Sequence, residues 1–193
     1  MWVAAVQRIS QMAHSQPHAA YAAFTHCLQR QWTFISRSMP GVAELLKPLE
    51  DEIRLSFIPA LLRRNVSDGD RELLSLPARY GGMGILNPTA ESDLAHANSM
   101  QISQPLVRLI LRQESDFEPL ELETSVKDIR KQIDKQCDHS YKERAKNILA
   151  HASPEIKLSM KLSTEKGASS WLTCIPTFEH GTILHKGDFI DAV

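Results

Sequence analysis

The sequence predicts an all-α fold, and two observations carry that expectation. Apolar side chains recur at spacings of three and four through most of its 193 residues, the period of a helix with one buried face. Proline and glycine then cut this pattern into segments of helical length, as in Ser15-Gln16-Pro17, Pro40-Gly41 and Leu76 to Pro88, because proline lacks the amide donor and glycine tolerates positive φ.

The elements follow in order. Trp2, Val3, Val6, Ile9, Met12 and Ala13 predict a first amphipathic helix. Pro17 opens a second one, since its fixed φ suits a first helical turn. Ala20, Phe24, Cys27, Leu28, Gln31, Phe34 and Ile35 mark its stripe up to Pro40, with Cys27 read as a small core residue. Val42, Leu45, Leu46, Leu49, Ile53 and Phe57 define a third stretch, which Pro48 and Pro59 restart or kink. Residues 63–70 read as a polar turn, and Arg71 to Leu76 as a short helix.

Gly81-Gly82-Met83-Gly84 reads as a sharp turn, within a punctuated segment at 80–88. It has neither the Gly-Lys-Ser/Thr of a phosphate loop nor the Gly-x-Gly-x-x-Gly of a dinucleotide site. Asn87-Pro88-Thr89 caps a further helix whose buried face is expected at Leu94, Ala97 and Ile102, with Pro105 as an interruption. The composition shift at Glu114 to Pro119 predicts the end of a first block, 1–116.

A charged helical extension follows over 117–168. It carries Glu123/Lys127 and Asp128/Lys131 pairs, and a thin seam of Leu122, Val126, Ile129, Ile133, Cys137 and Tyr141. Ser153-Pro154-Glu155 starts its last helix, with Gly167 as the expected residue just past the end. Residues 169–193 lack a clear period and read as an irregular C-terminal tail, a loop with room for one short strand or helix.

Composition bounds function. Hydrophobic content of 42% supports a core, and 6% aromatic content makes it mostly aliphatic. No apolar run approaches the roughly 20 residues of a membrane span, and the start lacks the basic region of a signal peptide. Three scattered cysteines, Cys27, Cys137 and Cys174, give no disulfide framework and fit a reducing compartment, the nucleus or cytoplasm. Net charge is −1, yet no acidic residue precedes Glu44 while Arg8, Arg30 and Arg37 do. A local basic face of this kind points to phosphate contact.

Catalytic chemistry is not indicated, and no cofactor is expected. His14 and His18 are separated by a helix break, and Cys137-x-His139 is too closely spaced for a metal loop. His180 and His185 would need further ligands beyond the chain end to make a metal site. Cys27 and His26 diverge by about 100° on a helix and cannot pair as nucleophile and base. No Asp-Asp pair offers two-metal chemistry, so the expected answer for enzyme activity is none.

Several segments together resemble the part of LINE-like non-LTR retrotransposon reverse transcriptases that lies beyond the polymerase palm. The Leu76 to Ile85 run is similar to their Leu-Pro-x-x-x-Gly-Gly-hydrophobic-Gly-Ile signature. Gln16 to His26, Trp32-Thr33-Phe34 with Arg37 and Pro40, and Leu46 to Leu61 resemble successive helices. Glu165 to Thr173 and His180 to Phe189 resemble their Ser-Ser-Trp-Leu-Thr and Leu-His-Lys-Gly-x-Phe motifs. The resemblance implies a thumb-like helical bundle gripping an RNA–DNA or DNA duplex through its backbone, without sequence specificity. Arg8, Arg30 and Arg37 are the candidate phosphate contacts by charge and position, not by motif. The palm and its aspartate pair are absent, so the chain is expected to be a fragment or remnant without polymerase activity. The competing expectation is a helical scaffold or protein-interaction domain that touches no nucleic acid.

Overall fold

The computed structural model describes residues 1–113 and 118–192, and these contain helices and loops but no strand. The fold is all-α. The expected block boundary at 116 falls among residues 114–117, outside the described residues.

Helix α1 (Trp2–Ala13) buries Val6, Ser10 and Ala13. After the break at Ser15-Gln16, α2 (Pro17–Ala22), a π-helical segment (Ala23–Leu28) and α3 (Gln29–Ser38) run on without interruption. In the wider segment the Gln29 amide bonds the Phe24 carbonyl five residues back. A π turn inserts one extra residue and rotates everything after it. The inward residues are therefore Phe24, Leu28, Trp32 and Ser36. Cys27, Gln31 and Phe34, expected on the stripe, are exposed instead. An unbroken α period, projected from the sequence, misses the buried side by one residue.

The same device recurs next. A 3-10 turn (Glu44–Leu46), α4 (Lys47–Glu52), a π segment (Ile53–Phe57) and α5 (Ile58–Leu62) form one bent rod. Pro59 has no amide to offer the Leu55 carbonyl, and the turn before it widens so that the Ile58 amide bonds Ile53. Leu46, Leu49, Ile53, Phe57, Ile58 and Leu61 face inward, whereas Leu45 is exposed. Phe24 and Phe57 stack at 4.3 Å between centroids, and Trp32 lies 5.6 Å from Phe24. The aromatics, though few, occupy the centre of the core.

Helix α6 (Asp68–Ser75) opens with a capping box between Ser67 and Asp70. The glycine segment follows, and then α7 (Pro88–Arg112), capped by the Asn87 carboxamide on the Thr89 and Ala90 amides. Pro105 does not interrupt α7, which continues through it. The carbonyl that loses its amide partner belongs to Gln101, an exposed residue. The expected inner face also shifts: Ser92 is buried, Leu94 and Ala97 are exposed, and Ile102 is half-buried.

Helix α8 (Pro119–His151) is the charged helix of the sequence, with its seam half-buried and Ile133 fully so. The expected Glu123–Lys127 and Asp128–Lys131 pairs are present. Helix α9 (Pro154–Ser163) starts at the Ser153 cap and ends at Thr164. Gly167 takes φ +85° in the turn after that end, not at the first position past it. Residues 170–173 make a 3-10 turn, and α10 (Lys186–Ala192) follows. These last segments return to the N-terminal core, where Leu172 and Phe189 are buried with α2. A smaller cluster of Leu76, Ala145 and Met160 joins α8 and α9 to the glycine segment. Among the described residues no helix is long and apolar enough to cross a membrane.

Candidate nucleic-acid interface

The glycine segment positions everything around it. Gly81 and Gly84 take φ +83° and +65°, conformations that cost other residues about 1 kcal/mol or more. Gly82 has no space for a side chain, because a Cβ there would run into the Leu73 and Leu76 carbonyls. The backbone donors and acceptors are consumed internally. Met83 and Ile85 amides bond the Leu74 carbonyl at 3.3 and 3.0 Å, and the Gly84 amide bonds Leu76 at 2.8 Å. The Gln29 carboxamide donates to the Gly84 carbonyl at 3.1 Å and accepts from the Leu86 amide at 2.9 Å. The buried Tyr21 phenol donates to the Met83 carbonyl at 2.6 Å, and burial pushes its pKa up. With its amides spent on the fold, this loop has none aimed at a phosphate.

Arg71 closes the other side. Its guanidinium donates to both Glu50 oxygens at 2.7 Å and to the Ile85 and Leu86 carbonyls at 2.7 and 3.1 Å. The pair is almost wholly buried, with side-chain exposures of 5% and 10%. A bidentate fork plus two carbonyls satisfies nearly every donor, the condition for tolerating a buried charge. Sequence reasoning missed this pair; 21 residues separate its members, and only the fold brings them together.

Arg144 of α8 makes a second, more exposed knot. It reaches Glu91 at 3.0 Å, Glu72 at 3.4 Å and the Ser75 hydroxyl at 2.9 Å. Arg79 bonds Asp138 at 2.8 Å. The Asp138 carboxyl is held below its ordinary range by the Tyr80 hydroxyl and then by Arg79. These contacts tie α8 to α6 and α7.

The sequence-predicted site residues occupy two places. Arg8 is exposed on α1, on the side away from Val6, Ser10 and Ala13, and its Nε donates to the Ala4 carbonyl. Arg30 and Arg37 are exposed on α3, seven residues apart and hence on one flank, close to two full turns. None of the three meets a carboxylate among the described residues. Arg37 also borders a cleft of about 660 Å³ between α3, α7 and α8. Sequence reasoning did not single out Arg130 of α8, which borders the same cleft.

His18, considered with His14 as a metal pair, serves packing. Its Nδ1 accepts from the Leu184 amide at 3.1 Å, and its ring lies 5.9 Å from Phe189 and 6.2 Å from Trp171. Burial lowers its pKa, offset in part by the Trp171 backbone. Among the described residues no group of three or more His, Cys, Asp or Glu side chains is placed to hold a metal ion. No family model, curated protein or solved structure matches this chain.

Proposed function

We propose that this chain is a helical nucleic-acid-binding module, akin to the region beyond the palm of LINE-like reverse transcriptases, that holds a duplex by its phosphates and performs no chemistry itself. One observation carries the reading. The first three helices contain no acidic residue, and their exposed Arg8, Arg30 and Arg37 remain free of carboxylates among the described residues. Guanidinium forks left in this state match phosphate oxygens. Contacts confined to the backbone give affinity without sequence preference.

The test is duplex binding by the whole chain across a salt series. Binding should weaken linearly on log–log axes, and Arg30→Ala with Arg37→Ala should weaken it further and flatten the slope. Unchanged affinity in the double variant removes α3 from the interface.

A second reading, a protein-interaction scaffold, is favoured by the far end of α7. Leu106, Ile110 and Leu111 are exposed there at 48%, 65% and 77%, a concentration of apolar surface that marks contact sites. Failure of the wild-type chain to bind duplex even at low salt would leave this reading in place of the first.

A further inference from the structure

The cleft between α3, α7 and α8 has a donor-rich wall. Arg37 enters it from α3 and Arg130 from α8, 93 positions later in the chain. Both are exposed, and neither has a carboxylate partner among the described residues. Trp32 forms part of the same wall, but its indole N–H is itself inaccessible. Two carboxylates border the cleft. Glu91 is already engaged by Arg144 at 3.0 Å, which leaves Asp134, one helical turn from Arg130, as the single opposing charge. Two guanidinium groups thus share this cleft with one unengaged carboxylate, a local excess of positive charge that favours an anionic, acceptor-rich group.

We infer that this cleft seats one phosphate of a nucleic-acid strand between Arg37 and Arg130, so that the charged helix α8 is part of the binding face. This rests on the duplex-binding reading and extends it from the first three helices to a residue with no place in the sequence expectations. The geometry gives each member a distinct role. Arg37 lies on α3 and Arg130 on α8, so the two would supply their charges from different elements. Asp134 opposes the anion by its like charge.

The experiment is anisotropy of a short fluorescein-labelled duplex with the whole chain, across a salt series, for the wild type and for Arg130→Gln, Arg37→Gln, Arg30→Gln and Asp134→Asn. All four positions are exposed, so folding is preserved. Arg130→Gln should weaken binding about five- to tenfold and reduce the salt slope, by no more than about 0.9. Arg130→Gln with Arg37→Gln should weaken it by less than the product of the single effects, because both serve one phosphate. Asp134→Asn should tighten binding, a change of sign that no general loss of stability produces. If Arg30→Gln and Arg37→Gln weaken binding but Arg130→Gln leaves affinity and slope unchanged, the cleft assignment falls while the duplex reading stands. If the wild type does not bind duplex, both fall. A parallel titration with inorganic phosphate separates strand from free anion. Saturable phosphate binding that Arg130→Gln abolishes, with duplex binding unmoved, overturns the strand assignment.

Discussion

Replacing Arg71 by leucine would leave the Glu50 carboxylate buried without the guanidinium that now meets both its oxygens, and the Ile85 and Leu86 carbonyls without their donor. Breaking one side of a buried pair costs about 3–5 kcal/mol, so Arg71→Leu should lower the urea midpoint steeply; a loss under about 1 kcal/mol would show that Glu50 finds water instead. Gly82→Ala acts on the same loop by sterics, since its Cβ collides with the Leu76 carbonyl, and should cost about 2 kcal/mol. Cys27 makes the opposite case. Exposed by the π turn, it should react with a thiol reagent in the native state, ahead of half-buried Cys137, and Cys27→Ser should change stability by less than about 0.5 kcal/mol. His18 gives a pH dependence. Burial lowers its folded pKa below the ordinary value, so the unfolded chain binds the proton more readily. Stability is therefore full above about pH 6.5 and falls as pH drops below it. Melting temperatures between pH 7.5 and 5.5 should decline in the wild type, and His18→Gln should remove that component; an equal decline in both would assign the effect elsewhere.

At the scale of elements, the sequence made most helices legible and their inner faces less so. Starts were mostly readable because caps are local: Pro17, Asn87 and Ser153 sit where helices begin, whereas Ser67 caps a helix that starts at Asp68, inside the expected polar turn and three residues before the expected Arg71. The seam of α8 was readable too, since a solvated helix with one apolar line keeps an unbroken α period. Of the two π segments, the first spoiled the arithmetic elsewhere. The extra residue in the first moved the buried set from Cys27, Gln31 and Phe34 to Gln29, Trp32 and Ser36, while Ile53 and Phe57 of the second are buried as expected. Pro59 signals the second segment through its missing amide, whereas nothing in Ala23 to Leu28 announces the first. Pro105 misled in the other direction, because a proline whose turn faces solvent need not end a helix. Of the candidate site, Arg30 and Arg37 could be found from charge alone. Arg130 and the Glu50–Arg71 pair depend on how distant elements pack, and no spacing in the sequence encodes that.

For the whole molecule, a net charge of −1 conceals an uneven distribution, and duplex binding tests whether that unevenness has a use. Acidic side chains begin only at Glu44, and several of them are spent on arginines that hold helices together: Glu50 on Arg71, Glu91 on Arg144, Asp138 on Arg79. The arginines of α1 and α3 are excluded from that network. If Arg8 and Arg30 each neutralise one phosphate and Arg37 and Arg130 share a third, the log–log salt slope should be about −2.7, with each phosphate contributing about 0.9. Raising salt from 50 to 200 mM would then weaken binding roughly 40-fold. A molecule steered only by its overall charge should show no attraction at all, because at −1 it is repelled by the duplex. A slope near zero would therefore mean that the cationic flank is solvated surface without a nucleic-acid partner. A slope of about −2.7 that falls by about 0.9 when Arg30 is removed, and by about as much when Arg37 and Arg130 are removed together, would tie the binding to particular side chains, which neither nonspecific adsorption nor a shift in net charge can imitate.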